Sequence, residues 1–224
     1  MQTDAIIQSY LKFKQAAESW GAMLLPVTKN HAVEKIKVLY DAGCRDFAEN
    51  KVQEIVAKKD LLPADIKWHL IGHLQSNKVK YIAPYIAMIH SIDSEKLLLE
   101  VEKQGQKHHR KIPCLLQVHV AQEETKYGFL PVELKEIIQR MAKTSLQHVQ
   151  ILGLMAMASF TDNEQQIANE FAQVKAMFDE ISQQALPEWI QMQHLSMGMS
   201  NDYHLALKHG STIIRVGSAI LGAR

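Results

Sequence analysis

The sequence is short of the features that most readily define a protein. It holds two cysteines, Cys44 and Cys114, in 224 residues. Neither stands in a C-x-x-C pair or another metal-ligand spacing, so no disulfide framework and no thiolate metal site can be read. Cys114 opens the apolar run Cys114-Leu-Leu-Gln-Val118, the ordinary setting of a small buried thiol. Such sparing use suits a reducing compartment. No apolar stretch reaches the length of a membrane-spanning helix. The opening segment, Met1-Gln-Thr-Asp-Ala-Ile-Ile7, lacks the basic region and apolar stretch of a secretory leader. Charge of neither sign dominates: 25 Lys and Arg face 24 Asp and Glu, a formal charge of +1. That balance gives nucleic-acid or membrane-surface binding no footing. Dinucleotide and P-loop glycine motifs and an H-E-x-x-H pair are missing too. The expectation is a cytoplasmic protein with no metal, nucleic-acid partner or membrane segment.

What is present is alternation. Apolar residues make up 47% of the chain, enough for a sizeable core, and the length is compatible with one domain over residues 1–224. A helix is expected from about Ala5 to Trp20, with Ile6, Tyr10, Phe13 and Ala17 on one face. Short apolar runs then recur at Met23 to Val27, Arg45 to Glu49, Lys67 to Ile71 and Met88 to Ile92. Four more follow at Pro113 to Val120, Val149 to Met155, Ile190 to Leu195 and Thr212 to Val216. Helical segments lie between them. The clearest carries Ile167, Phe171, Val174, Phe178 and Ile181 on one face, with Thr161-Asp-Asn-Glu164 before it as a capping-box pattern. Strands that alternate with helices predict a parallel sheet. Continuously apolar strands predict cover on both faces. Eight units fit a closed (β/α)8 TIM-like barrel with an extra N-terminal helix; a doubly wound open sheet is the competing architecture.

In such a barrel, chemistry sits at the C-terminal strand ends. These ends are polar here. Ser196-Met-Gly-Met-Ser200 follows the seventh strand and Arg215-Val-Gly217-Ser218 the eighth. Glycines let backbone N–H groups approach an anion, and hydroxyls add donors. Singly, each loop is ordinary turn chemistry; together, at the usual phosphate position of these barrels, they predict a phosphorylated ligand. Lys29 directly follows the first strand. A partly desolvated lysine there is a usable nucleophile for an aldehyde, although position alone leaves Lys51, Lys78 and Lys126 as equal competitors. Arg215, at the end of a core strand, needs an acceptor, either a protein carboxylate or a ligand atom.

Several motifs in the right order then resemble one family. They are Val27-Thr-Lys29, Phe47-Ala-Glu-Asn50 with Val52-Gln-Glu54, Trp68-His-Leu-Ile-Gly72-His-Leu-Gln-Ser-Asn-Lys78, His90-Ser-Ile-Asp93, and Gln117-Val118 with Lys126-Tyr-Gly128. Gly153-Leu-Met155, Leu195-Ser-Met-Gly-Met-Ser200 and Arg215-Val-Gly217 complete the set. Through nearly its whole length the chain resembles the pyridoxal 5′-phosphate (PLP) homeostasis proteins. Their fold is similar to the barrel of fold-type III PLP enzymes such as alanine racemase, without the second domain.

The resemblance implies a PLP Schiff base on Lys29, with Arg215 facing the pyridine nitrogen. It implies a phosphate held by Ser196, Ser200, Gly217 and Ser218, Ser200 foremost, and Asn50 close to the cofactor. It implies a monomeric protein that buffers PLP or passes it to apo-PLP enzymes, with no efficient turnover. The tyrosine base of the racemases lies in a second domain, which is not expected after Arg224. A weak one-base racemase of fold type III and a PLP-independent barrel enzyme with a phosphorylated ligand are the alternatives. The chain departs from the family pattern in four places. Ala48 replaces a glycine, which puts any need for positive φ there in question. Thr28 replaces a serine, His119 an asparagine, and Leu221 the usual aromatic.

Overall fold

In the computed structural model the described residues are 2–123 and 127–222. Eight parallel strands form one sheet: β1 (Met23–Pro26), β2 (Asp46–Glu49), β3 (Lys67–Leu70), β4 (Met88–Ile92), β5 (Ile112–Val118), β6 (Val149–Ala156), β7 (Ile190–Ser196) and β8 (Ile213–Val216). Their order is β1-β8-β7-β6-β5-β4-β3-β2. The circle closes just beyond the end of β1, where Val27 bridges Ala48 of β2 and Thr28 N–H donates to Ala48 O at 2.9 Å. The helices α1 (Gln2–Glu18), α2 (Val33–Asp41), α3 (Val52–Lys59), α4 (Val79–Ile82), α5 (Glu95–Lys107), α6 (Pro131–Met141), α7 (Glu164–Ser182), α8 (Tyr203–Lys208) and α9 (Ser218–Leu221) alternate with them. This is the expected barrel, and α1 is the extra helix before the first strand.

The period-two pleat sorts each strand into two faces. Outward residues such as Leu24, Phe47, Trp68, Ile89, Leu116 and Ile214 join the large cluster beneath the helices. Inward residues form two smaller apolar groups, Leu25, Val27, Ala48 and Ile213 on one side and Met88, Leu115, Leu152 and Met155 on the other. Polar residues share the buried interior with these groups, among them His69, His90, Ser196 and Arg215. On α1, Ile6, Tyr10, Phe13 and Ala17 are buried, as their spacing predicts. Gly153 sits at φ +143°, and a Cβ there would lie 1.8 Å from His194 O. Only glycine lets β6 and β7 approach so closely, and their register shifts at that point.

Two expectations change. The capping box over Thr161–Glu164 does not form. The α7 N-cap is Asn163, whose side chain accepts from Gln166 N–H at 3.1 Å, while the Thr161 hydroxyl accepts from Asn163 N–H. The helix starts two residues later than a Thr161 cap requires, and Asn is as good a cap as Thr. At position 48, Ala48 is not among the positive-φ residues, so the fold needs no glycine there. Among the described residues, no helix is long and apolar enough to cross a membrane.

Candidate cofactor site at the barrel mouth

Lys29 stands half-buried on a turn that is held from both sides. Before it, the Thr28 hydroxyl donates to Glu49 Oε1 at 2.6 Å, and Lys58 Nζ donates to Thr28 O at 2.9 Å and Glu49 Oε1 at 2.7 Å. After it, Asn30 takes a left-handed φ of 60° and its N–H donates to Glu54 Oε2 at 2.7 Å. Lys58 also reaches Glu54 Oε2 at 3.1 Å. The motif Phe47-Ala-Glu-Asn50 with Glu54 therefore works through its acids as a clamp on the lysine turn. Burial pushes the Glu49 carboxyl above its ordinary range despite Lys58 and Thr28. Burial also acts on Glu54, but the Asn30 N–H and Lys58 outweigh it and lower that carboxyl.

Arg215 is 3% exposed, inside the barrel. Its Nη1 donates to Ser196 O and Ser196 Oγ, both at 2.7 Å, and its Nη2 to Ala156 O at 2.9 Å. Among the described residues three of the five guanidinium donors are thus engaged, by neutral acceptors only, leaving Nε–H and one Nη2–H. Burial pushes its pKa down to about 10, which still leaves it charged at neutral pH.

Lys29 and Arg215 line one cavity of about 800 Å³ at the C-terminal ends of the strands, together with Asn50, Ser200, Gly217 and Ser218. Gly72 holds Asn50 in place: a Cβ on it would meet Asn50 O at 2.2 Å. Gly198, at φ +89°, packs against Ala206 and turns the loop back so that Ser200 reaches the cavity. Six of the seven expected site residues therefore converge. The seventh, Ser196, is wholly buried and does not line the cavity; its hydroxyl contacts Arg215 and His90 Nδ1 (3.1 Å).

Among the described residues Lys29 is the one lysine lining this space. Lys51 is exposed, Lys78 Nζ sits 5.6 Å from the Tyr81 ring, and Lys126 lies outside the described residues. His119 hydrogen-bonds Glu123 O at 3.0 Å and is not part of the wall. A pair that the sequence reading passed over is part of it: His73 stacks on Tyr127, rings 3.8 Å apart, and its Nδ1 bonds Asp93 Oδ2 at 2.9 Å. Its sequence signals are the place of His73 at a strand end and the place of both residues in the family motifs Trp68 to Lys78 and Lys126-Tyr-Gly128. His69 and His73 stand four residues apart, but His69 faces the interior toward His90 and His73 faces Asp93. No group able to hold a metal ion occurs among the described residues.

His90 is fully buried. Desolvation foremost, then His69, Arg215 and His194, hold its pKa well below the ordinary 6.5. An unfolded chain binds that proton below pH 6.5 and the folded chain does not, so folding stability falls as pH falls below 6.5. The expected slope is about 1.4 kcal/mol per pH unit from this group. Urea titrations at pH 7, 6 and 5 check it; replacing His90 by Gln should flatten that segment.

These features define a class. The chain belongs to the alanine racemase N-terminal domain family, which it matches over residues 1–224. Its curated relatives within that class are pyridoxal phosphate homeostasis proteins. The one from Aquifex aeolicus is 37% identical over 207 residues, covering 91% of this chain and 87% of the relative. PipY of Synechococcus elongatus, solved without PLP, superposes with a TM-score of 0.90 at 35% identity, covering 97% of this chain and 100% of PipY. Its structure with PLP bound gives 0.86 at 34% identity, with the same coverage. An alanine racemase from Bartonella henselae with covalently bound pyridoxal phosphate shares the fold, at a TM-score of 0.74 and 19% identity, over 100% of this chain and 61% of the racemase.

Proposed function

We propose that this chain binds PLP in the mouth cavity, covalently through Lys29, and buffers it or delivers it to apo-PLP enzymes. In this reading residues 1–224 act as one domain of a monomeric cytoplasmic protein without efficient turnover. The observation that carries it is the convergence of a half-buried lysine, a buried arginine with unengaged donors, and two glycine–serine loops on one cavity of about 800 Å³. The residues fit the cofactor. Lys29 suits an aldehyde, and Ser200 with the Gly217–Ser218 backbone suits a phosphate. A Cβ on Gly217 would sit 3.1 Å from Val27 O, so that loop lies tight against the end of β1, beside the lysine turn. Asn50 supplies a polar contact on the wall. The relatives named for PLP homeostasis and the PLP complex of PipY support the reading.

PLP, when bound, supplies an aldehyde for amines and a ring that withdraws electrons. The protein tempers the second property. A guanidinium offers only donors, so a pyridine nitrogen held against Arg215 accepts a hydrogen bond and carries no proton. A ring in that state withdraws electrons weakly, which suits holding more than turnover. Absorption spectroscopy of PLP-treated protein, followed by borohydride reduction and peptide mass analysis, tests the assignment. A yellow protein tagged on Lys29 is expected; a colourless one that takes up no PLP overturns it. Arg215→Glu is expected to let the ring nitrogen protonate and to shift the visible band. An unchanged spectrum and affinity would place Arg215 away from the ring.

A further inference from the structure

A line of hydrogen bonds crosses the barrel from the cavity to its opposite mouth. Arg215 Nη1 donates to Ser196 Oγ at 2.7 Å, and that oxygen lies 3.1 Å from His90 Nδ1. His90 Nε2 lies 3.0 Å from His69 Nδ1, and His69 Nε2 lies 3.2 Å from Asp46 Oδ1. Ser196 closes β7 at the cavity end, whereas Asp46 opens β2 at the other end, where its side chain is 27% exposed. Between them His69 is 4% exposed and His90 and Ser196 are 0% exposed.

The two ends are chemically unlike. A guanidinium only donates, and an ionised carboxylate only accepts. Burial tends to raise the Asp46 carboxyl, but its hydrogen bond with His69 and the charge of Lys67 bring it below its ordinary value, so it is ionised. A neutral imidazole has one donor and one acceptor. With both rings neutral, one arrangement satisfies every contact. Arg215 donates to Ser196, the Ser196 hydroxyl to His90 Nδ1, His90 Nε2–H to His69 Nδ1, and His69 Nε2–H to Asp46. Reversal would set the bare His69 Nε2 lone pair against the carboxylate and leave the Ser196 proton to find another acceptor. An unmade hydrogen bond at such a buried site is costly.

We propose that Asp46 is a positioning residue for the ligand site. Through His69 and His90 it sets the direction of the Ser196 hydroxyl and so the seat of the Arg215 guanidinium. The free donors of Arg215 then meet the ligand in one orientation. The ligand part rests on the reading of Arg215 given above; the polarity of the line does not.

Nitrogen-15 NMR of histidine-labelled, ligand-free protein at neutral pH tests the polarity directly. The expected wild-type result is two neutral rings, both protonated on Nε2. In Asp46→Asn the carboxamide can turn its N–H toward His69, so a second tautomer is expected on both His69 and His90. The affinity for PLP, followed by absorbance, is expected to fall about threefold to thirtyfold in that variant, the range of coupling through a packed network. Wild-type His90 protonated on Nδ1, a doubly protonated His69, a His90 unmoved by Asp46→Asn, or an unchanged affinity would overturn the proposal. Should Asp46→Asn fail to fold, the wild-type tautomers alone decide the polarity. A wild type that takes up no PLP sinks the ligand assignment and with it the positioning role, and the tautomer result still decides the polarity of the line.

Discussion

Replacement of Lys29 by alanine is expected to remove the visible absorption of PLP-treated protein altogether, and with it the borohydride-fixed mass on the peptide containing residue 29. The loss should be complete because Lys29 is the one lysine lining the cavity among the described residues. The turn that carries it is clamped at Thr28 by Glu49 and Lys58 and at Asn30 by Glu54, so no neighbouring side chain swings into its place. The loops after β7 and β8 and Arg215 are untouched by the change. Weak non-covalent uptake of PLP, seen as quenching of intrinsic fluorescence without a yellow colour, should therefore persist. Transfer of the mass tag to another lysine would show that the clamp does not select Lys29. Loss of all uptake would show that the covalent bond carries the binding and the loops do not.

Lys58→Met is expected to destabilise the fold by about 3–5 kcal/mol, because it strands a buried carboxylate. Glu49 is 0% exposed and the Lys58 side chain 11% exposed. Among the described residues one oxygen of Glu49, Oε2, has no hydrogen-bond partner, and Lys58 and Thr28 supply the compensation the carboxylate has. Without Lys58 the carboxyl of the folded state rises further above the ordinary 4.5. A raised carboxyl binds its proton more tightly folded than unfolded. The variant should therefore regain stability as pH falls toward 4.5 and lose it as pH rises through the folded pKa. The double variant Glu49→Leu with Lys58→Met should recover most of the loss, since removing both charges leaves none uncompensated. Urea denaturation of the wild type, both single variants and the double variant measures this as a cycle. Additive losses would mean that the two residues do not act as a pair.

The clamp also shows how the site was only half legible. The resemblance places Asn50 close to the cofactor, and Glu49 directly precedes it in the motif Phe47-Ala-Glu-Asn50. The pleat separates them: Asn50 lines the cavity, while Glu49 turns outward to Lys58 on α3 and holds the lysine turn through the Thr28 hydroxyl and, by way of Lys58, the Thr28 carbonyl. The same holds for the loop after β7. The resemblance puts both Ser196 and Ser200 at the phosphate, Ser200 foremost, in one glycine-containing segment. Gly198 reverses the chain between them and sends one into the barrel and the other to the cavity. His69 lies in an apolar strand, and its partners come from β2 and β4.

By itself the sequence determined the eightfold alternation of strand and helix, the buried faces of the helices and the polar character of the strand ends. Those are local: a period of two or 3.6 residues, and a glycine or hydroxyl at a given step, act over a few positions of chain. The order of the motifs along the chain also carried the family. Only the tertiary structure decided which strand-end groups line the cavity, which hold the lysine turn, and which join Asp46 to Arg215 across the barrel. The pleat tells that a side chain faces inward, but its partner arrives from a strand up to 106 positions away, as Ser196 does for His90. Closure of the barrel, rather than any local pattern, makes that meeting.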